Sequence, residues 1–185
     1  MTRTRGTLLG AMVLAMVAPL AGRPGRATPA VLDSRGAPQL GDPRPALEVE
    51  TPAGDLVNDA RVAGRPLVVD FFATWCAPCR SALADLNAAR QDANADVQVV
   101  LIDLGEPRAV VQKWAAGAPV PPGALVALDP DGVAARRWGA NRLPTTFLVD
   151  ATGVVRHINR GWGPGYRERL TRWLRNIAQP ARAAP

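Results

Sequence analysis

Apolar residues fall into runs along this 185-residue chain, and the spacing within each run predicts an element. Leu67-Val68-Val69-Asp70-Phe71-Phe72 is almost continuously apolar, as in a strand covered on both faces. Val97 to Leu104 repeats that pattern. Between them, Ser81 to Arg90 sets Leu83 and Leu86 among alanines at helical spacing. Strand, helix and strand in that order predict a parallel pair joined by a right-handed crossover. Pro107 then opens a helix containing Val110, Val111 and Trp114, since proline suits the first helical position. A proline-rich loop, Gly117 to Gly123, leads to a strand over Ala124–Leu128, closed by Asp129-Pro130-Asp131-Gly132, and to a short helix over Val133–Trp138. Turn residues centred on Pro52-Ala53-Gly54-Asp55 make Ala46 to Val57 a short hairpin, and Asp150-Ala151-Thr152-Gly153 joins Thr145–Val149 to Val154–Ile158 in another. The last run, Tyr166 to Ile177, places Tyr166, Leu170, Trp173, Leu174 and Ile177 on one helical face that should pack on the sheet. The sum is an α/β domain without internal repeats.

Patterning also bounds the domain. Arg3 and Arg5 precede an uncharged run from Gly6 to Gly22, and Thr28-Pro29-Ala30 offers small residues for cleavage, so residues 1–30 read as a secretory signal peptide. An uncleaved anchor is the alternative, because the run lies at the short edge of the ~17 to 25 residues a membrane-spanning helix needs. Residues 31–45, rich in Gly, Pro and Arg, read as a linker, 46–178 as the domain and 179–185 as a flexible tail. The formal charge of +6 loses its weight once Arg3, Arg5, Arg23 and Arg26 are set aside with the leader, which leaves 18 basic against 16 acidic residues. Arg167, Arg169, Arg172 and Arg175 on the last helix read as a solvated face, and no nucleic acid partner is expected. Nothing in the pattern specifies an oligomeric state.

Chemistry concentrates at Trp75-Cys76-Ala77-Pro78-Cys79-Arg80, which holds both cysteines of the chain. Thiols at this spacing can close a disulfide across one helical turn and open it again. So small a loop removes little entropy from the unfolded chain, so a stapling role explains the pair poorly. Because the pair follows a buried strand and precedes a helix, Cys76 should lie at the helix N-terminus, where amide donors and the macrodipole favour its thiolate. Cys79, one turn deeper, would resolve the mixed disulfide that Cys76 forms. Zinc normally takes four ligands and the chain offers only these thiols and His157, so no metal is expected; His157 reads as a surface or half-buried strand residue.

Val68-Val69-Asp70-Phe71-Phe72-Ala73-Thr74-Trp75-Cys76-Ala77-Pro78-Cys79 resembles the active-site strand and motif of the thioredoxin superfamily. With the leader, the region before the strand and the insert between residues 105 and 140, the chain is most similar to the TlpA/ResA/DsbE-like exported thiol–disulfide oxidoreductases, over roughly residues 41–178. The resemblance implies a thioredoxin-like fold: a central mixed sheet flanked by helices, with an N-terminal hairpin and an αβ insert. It matches Pro144, in Leu143-Pro144-Thr145-Thr146-Phe147-Leu148-Val149-Asp150, to the family's cis-proline beside the cysteines. Leu143, Trp75, Ala77 and Pro78 would then contact substrate. Asp70 matches thioredoxin's buried acid, which could take the proton from Cys79 during resolution.

The chain departs from ResA-like members in carrying Ala82 and Ala84 where many have an acid and a proline, and Asp70 where Asn is common. Glu106 could lie near the site or simply start a helix. The implied activity is thiol–disulfide exchange in the periplasm or at the outer face of the membrane. Ala77-Pro78 resembles the dipeptide of reducing members, and no cofactor beyond the Cys76–Cys79 disulfide is expected. Electrons would come from a membrane thiol carrier, and the clients would be protein disulfides such as those of apocytochrome c or an oxidase copper-site protein. The alternatives are a disulfide-forming oxidase or isomerase, a chaperone holding a cuprous ion on the two thiolates, and a peroxidase of related fold, whose members lack this CxxC.

Overall fold

The computed structural model describes residues 36–178; the leader, the start of the linker and the tail lie outside the described residues. Its elements are β1 (Glu48–Glu50), β2 (Leu56–Asn58), α1 (Asp59–Val62), β3 (Leu67–Phe72), α2 (Ala77–Ala93), β4 (Gln98–Leu104), α3 (Arg108–Ala115), β5 (Leu125–Asp129), α4 (Val133–Trp138), β6 (Thr145–Val149), β7 (Val155–Arg160) and α5 (Tyr166–Ala178). The strands form one seven-stranded sheet in the order β2-β1-β5-β4-β3-β6-β7. β3, β4 and β5 pair in parallel, whereas β6, β7 and the β1–β2 hairpin run antiparallel to their neighbours. The sheet is therefore mixed, as expected for a thioredoxin-like fold.

Alternation along the central strands sends side chains to two cores. Val68, Phe72, Val99, Leu101 and Leu148 meet α2, α3 and α5 on one face. Val69, Phe71, Val100, Ile102 and Phe147 meet α1 and α4 on the other. On that second face Trp138 sits edge-on to Phe147, with centroids 5.1 Å apart, a favourable arrangement for aromatic quadrupoles. Both faces of β3 are buried, which accounts for its nearly unbroken apolar sequence.

Two expectations need correction. Residues 36–45 belong to the domain rather than to a linker. The Gly41 N–H donates to the Val155 carbonyl at 2.8 Å, the Arg44 N–H to that of Gly153 at 2.8 Å, and Val155 N–H returns a bond to Asp42. A rich Gly and Pro content marked this stretch as loop, but loop composition does not prevent backbone pairing with an edge strand. The short helix α1 escaped the sequence reading. Its signal is Asn58, whose side chain accepts the Arg61 N–H at the N-cap. Among the described residues no helix is long and apolar enough to cross a membrane.

The arginines of α5 are less free than a solvated face implies. Arg167 donates twice to Asp92 at 2.9 and 2.8 Å, and Arg175 to the Asp92 carbonyl at 2.9 Å, tying α5 to the end of α2.

Candidate active site

β3 carries the chain to the sheet's end, where Ala73 to Trp75 turn into α2. Cys76 is the N-cap of that helix. Its Sγ accepts the Cys79 N–H at 3.2 Å, satisfying one of the amides that a helix start leaves unpaired. Pro78 falls in the first turn, where its missing N–H costs nothing. Cys76 and Cys79 are joined by a disulfide, with Cα atoms 5.2 Å apart.

Exposure does not distinguish the two cysteines, at 4% and 3%; the surroundings of each do. Cys76 lines an open groove of about 690 Å³ together with Trp75, Ala77, Pro78, Leu143, Arg136 and Arg142. Cys79 lines a narrow cleft on the inner side with Asp70, Phe72, Leu83, Leu101 and Trp114. Trp75 is 70% exposed, so packing does not explain it. The Leu143–Pro144 peptide bond is cis, and Leu143 brings this loop to the same groove as Cys76. The candidate catalytic and substrate-contacting residues therefore gather at one end of the sheet, Asp70 and Cys79 on its inner side and the rest at the groove or beside it. His157 stands apart on β7, half-buried and stacked on Trp173 at 4.7 Å; burial and then Arg172 lower its pKa.

Asp70 is 2% exposed and lies opposite Leu101 on β4 and Thr146 on β6. Burial pushes its carboxyl up to about 7, and the Thr146 hydrogen bond offsets only part of that. The Thr146 hydroxyl donates to Asp70 Oδ1 at 2.6 Å, and the Tyr166 hydroxyl lies 3.0 Å from Thr146 Oγ1. Thr146 has one proton and gives it to Asp70, so Tyr166 must donate to Thr146. Burial, followed by the Asp70 charge, raises Tyr166 above its ordinary range. An acid with a pKa near neutral beside an inner cysteine can exchange protons with it at physiological pH. Thr146 and Tyr166 went unnoticed in the sequence, where one is a strand residue and the other a helix core position.

A second acidic cluster supports the turn before Cys76. Both Glu106 oxygens accept from Thr74, Oε2 from the N–H at 2.5 Å and Oε1 from the hydroxyl at 2.7 Å. Glu106 thus lies at the site, and Asp103 behind it interrupts β4 just as Asp70 interrupts β3.

A CxxC disulfide at a helix start, with an acid behind it and a cis-proline loop beside it, on a thioredoxin-like sheet, defines a thiol–disulfide oxidoreductase. The chain belongs to the AhpC/TSA family, whose profile matches residues 40–158. It is 35% identical over 129 residues to the thiol:disulfide interchange protein DsbE of Pseudomonas fluorescens biotype C, covering 69% of this chain and 68% of that one. It is 30% identical over 101 residues to the thiol-disulfide oxidoreductase ResA of Geobacillus thermodenitrificans, covering 53% and 56%. Among solved structures, a DsbE-type thiol:disulfide interchange protein from Chlorobium tepidum superposes with a TM-score of 0.68 at 28% identity, covering 76% of this chain and 99% of that one. The chain thus spans about two thirds or less of these two curated relatives' own lengths.

Proposed function

We propose that this protein is an exported reductase of protein disulfides. In the dithiol form, the Cys76 thiolate attacks one sulfur of a client disulfide, forming a Cys76–client bond and releasing the client's other sulfur as a thiolate. Cys79 then gives its proton to Asp70 and attacks Cys76 Sγ. The Cys76–Cys79 disulfide closes and the client leaves with both sulfurs reduced, having received two electrons. A membrane thiol carrier returns those electrons by the same exchange in reverse. Clients present a disulfide in an extended segment that fits the groove beside Trp75 and Leu143; apocytochrome c and oxidase copper-site proteins belong to this class. The leader-like first 30 residues support export.

The observation that carries this reading is the unequal placement of the pair, Cys76 on the groove and Cys79 beside Asp70. The reducing direction is supported by Ala77-Pro78 and by the position of the chain's one histidine on β7 rather than between the cysteines, where it would stabilise the thiolate. The test is the equilibrium potential of the pair, titrated against dithiothreitol or glutathione. A value near about −270 mV, as in thioredoxin, is expected. One at or above about −180 mV would assign disulfide formation or isomerisation instead.

A further inference from the structure

Asp103 closes the inner face of β4, beside Phe72 in register, and is 0% exposed. Its Oδ1 accepts the Glu106 N–H at 3.0 Å. Its Oδ2 is buried and, among the described residues, has no donor to accept from. An ionised carboxylate in that position would leave a lone pair and a charge unmatched, at a large cost. The Glu106 carboxyl is close enough to raise the Asp103 pKa, the Glu106 N–H sits on Asp103 Oδ1, and both Glu106 carboxyl oxygens already accept from Thr74. Two facing carboxyl groups hold together only when one carries a proton.

We propose that Asp103 Oδ2 carries that proton and donates it to Glu106, making Asp103 a positioning residue that fixes Glu106 and, through Thr74, the turn leading into Trp75 and Cys76. Thr74 uses both its donors on one carboxylate, so the orientation of Glu106 sets the path of the backbone two residues before the reactive sulfur. Asp103 replaces the missing donor with a bond to that same carboxylate. The device belongs to the redox site and does not depend on the direction of exchange.

Neighbouring charges leave the pair to itself. On the same face of β3, Asp70 is bonded to Thr146. From α2, the Arg80 guanidinium donates to the Thr74 carbonyl at 3.3 Å. From α3, Arg108 is turned to Glu50 and to the carbonyls of Thr51 and Pro52, and Lys113 is exposed. From β5, Asp129 accepts the Ala134 and Ala135 N–H groups of α4, which packs on the opposite face. Burial and then the Glu106 carboxyl push Asp103 up to about 7. Burial would also raise Glu106, but the hydrogen bonds from Thr74 and Asp103 outweigh it and hold it below its ordinary range. The pair therefore changes charge near neutrality, when Asp103 loses the proton and the two carboxylates repel.

The Thr74 amide reports this event directly. In the oxidised protein, where the cysteines do not titrate, its proton resonance should lie far downfield at pH 5.5 and move upfield with a midpoint near 7. In Asp103→Asn, whose amide donates to Glu106 at every pH, the resonance should stay downfield from pH 5.5 to 9. The titration carried by Asp70 should persist there at the Thr146 amide. Asp103→Ala should place the Thr74 resonance upfield throughout and slow disulfide reduction by dithiothreitol at pH 6 at least threefold. If Asp103→Ala fails to fold, the asparagine variant alone decides. A Thr74 resonance that does not titrate in the parent protein, or one that titrates equally in Asp103→Asn, overturns the proposal.

Discussion

Asp70 lies between Leu101 across one strand boundary and Thr146 across the other, and among the described residues no cation offsets the cost of burying its charge. Its pKa is about 7 in the folded protein, against an ordinary value of 3.8, and this fixes the sign of a stability effect. Below about pH 4 the group is protonated in both states and costs nothing. As pH rises from there towards 7, the unfolded chain releases the proton first and the folded state loses stability; above 7 the loss is complete. Asp70→Asn keeps a hydrogen-bonding side chain without the charge. It should therefore match the parent near pH 4 and exceed it by on the order of 3 kcal/mol at pH 8. Urea midpoints of the two oxidised proteins across that range measure the difference. A gain of the same size at every pH would mean that packing, rather than ionisation, separates them.

At the level of elements, the end of α4 shows how tightly the N-terminal segment is built in. Gly139 caps α4 with a positive φ of 66°, and a Cβ added there would overlap the Ala37 Cβ. Gly139→Ala meets both the left-handed backbone penalty of about 1–2 kcal/mol and the overlap, which the segment must relieve by moving away. A loss of about 2–4 kcal/mol is expected, with faster hydrogen exchange at the Gly41 and Arg44 amides, which bond to Val155 and Gly153. Unchanged exchange at those amides would separate the segment's docking from Gly139. Composition concealed this docking because the hydrogen bonds that join it to Gly153 and Val155 are backbone ones, and Gly and Pro content says only that a segment turns. β3 and β4 were legible for the opposite reason: strands buried on both faces must be apolar throughout, so Asp70 stood out. Asp103 interrupts β4 in the same way, but its meaning depends on Glu106 reaching back to Thr74, 32 residues away in sequence. Likewise Thr146, 76 residues from Asp70, meets it only through the pairing of β3 with β6.

For the whole molecule, the consequence of this sheet is that two cysteines in one helical turn face different worlds. The turn after β3 sets Cys76 against the groove that α4 and the Leu143 loop enclose, while α2 carries Cys79 down onto the inner face, beside Asp70 and under Trp114. In the proposed cycle, a client sulfur approaching through the groove reaches Cys76, and the mixed disulfide is then within one helical turn of the inner thiol. Removing that thiol should stop the cycle halfway. Cys79→Ser, introduced into the full chain in its own host, should accumulate client proteins bound through Cys76 that dithiothreitol releases. Cys76→Ser should accumulate about tenfold less, because the thiol it leaves lies in a cleft too narrow for a client. The comparison is made by non-reducing electrophoresis after acid quenching of free thiols. Equal trapping by both variants would mean that the inner cleft opens enough to admit client sulfur. Trapping by Cys76→Ser alone would reverse the roles of the pair and leave Asp70 beside the attacking sulfur instead of the resolving one.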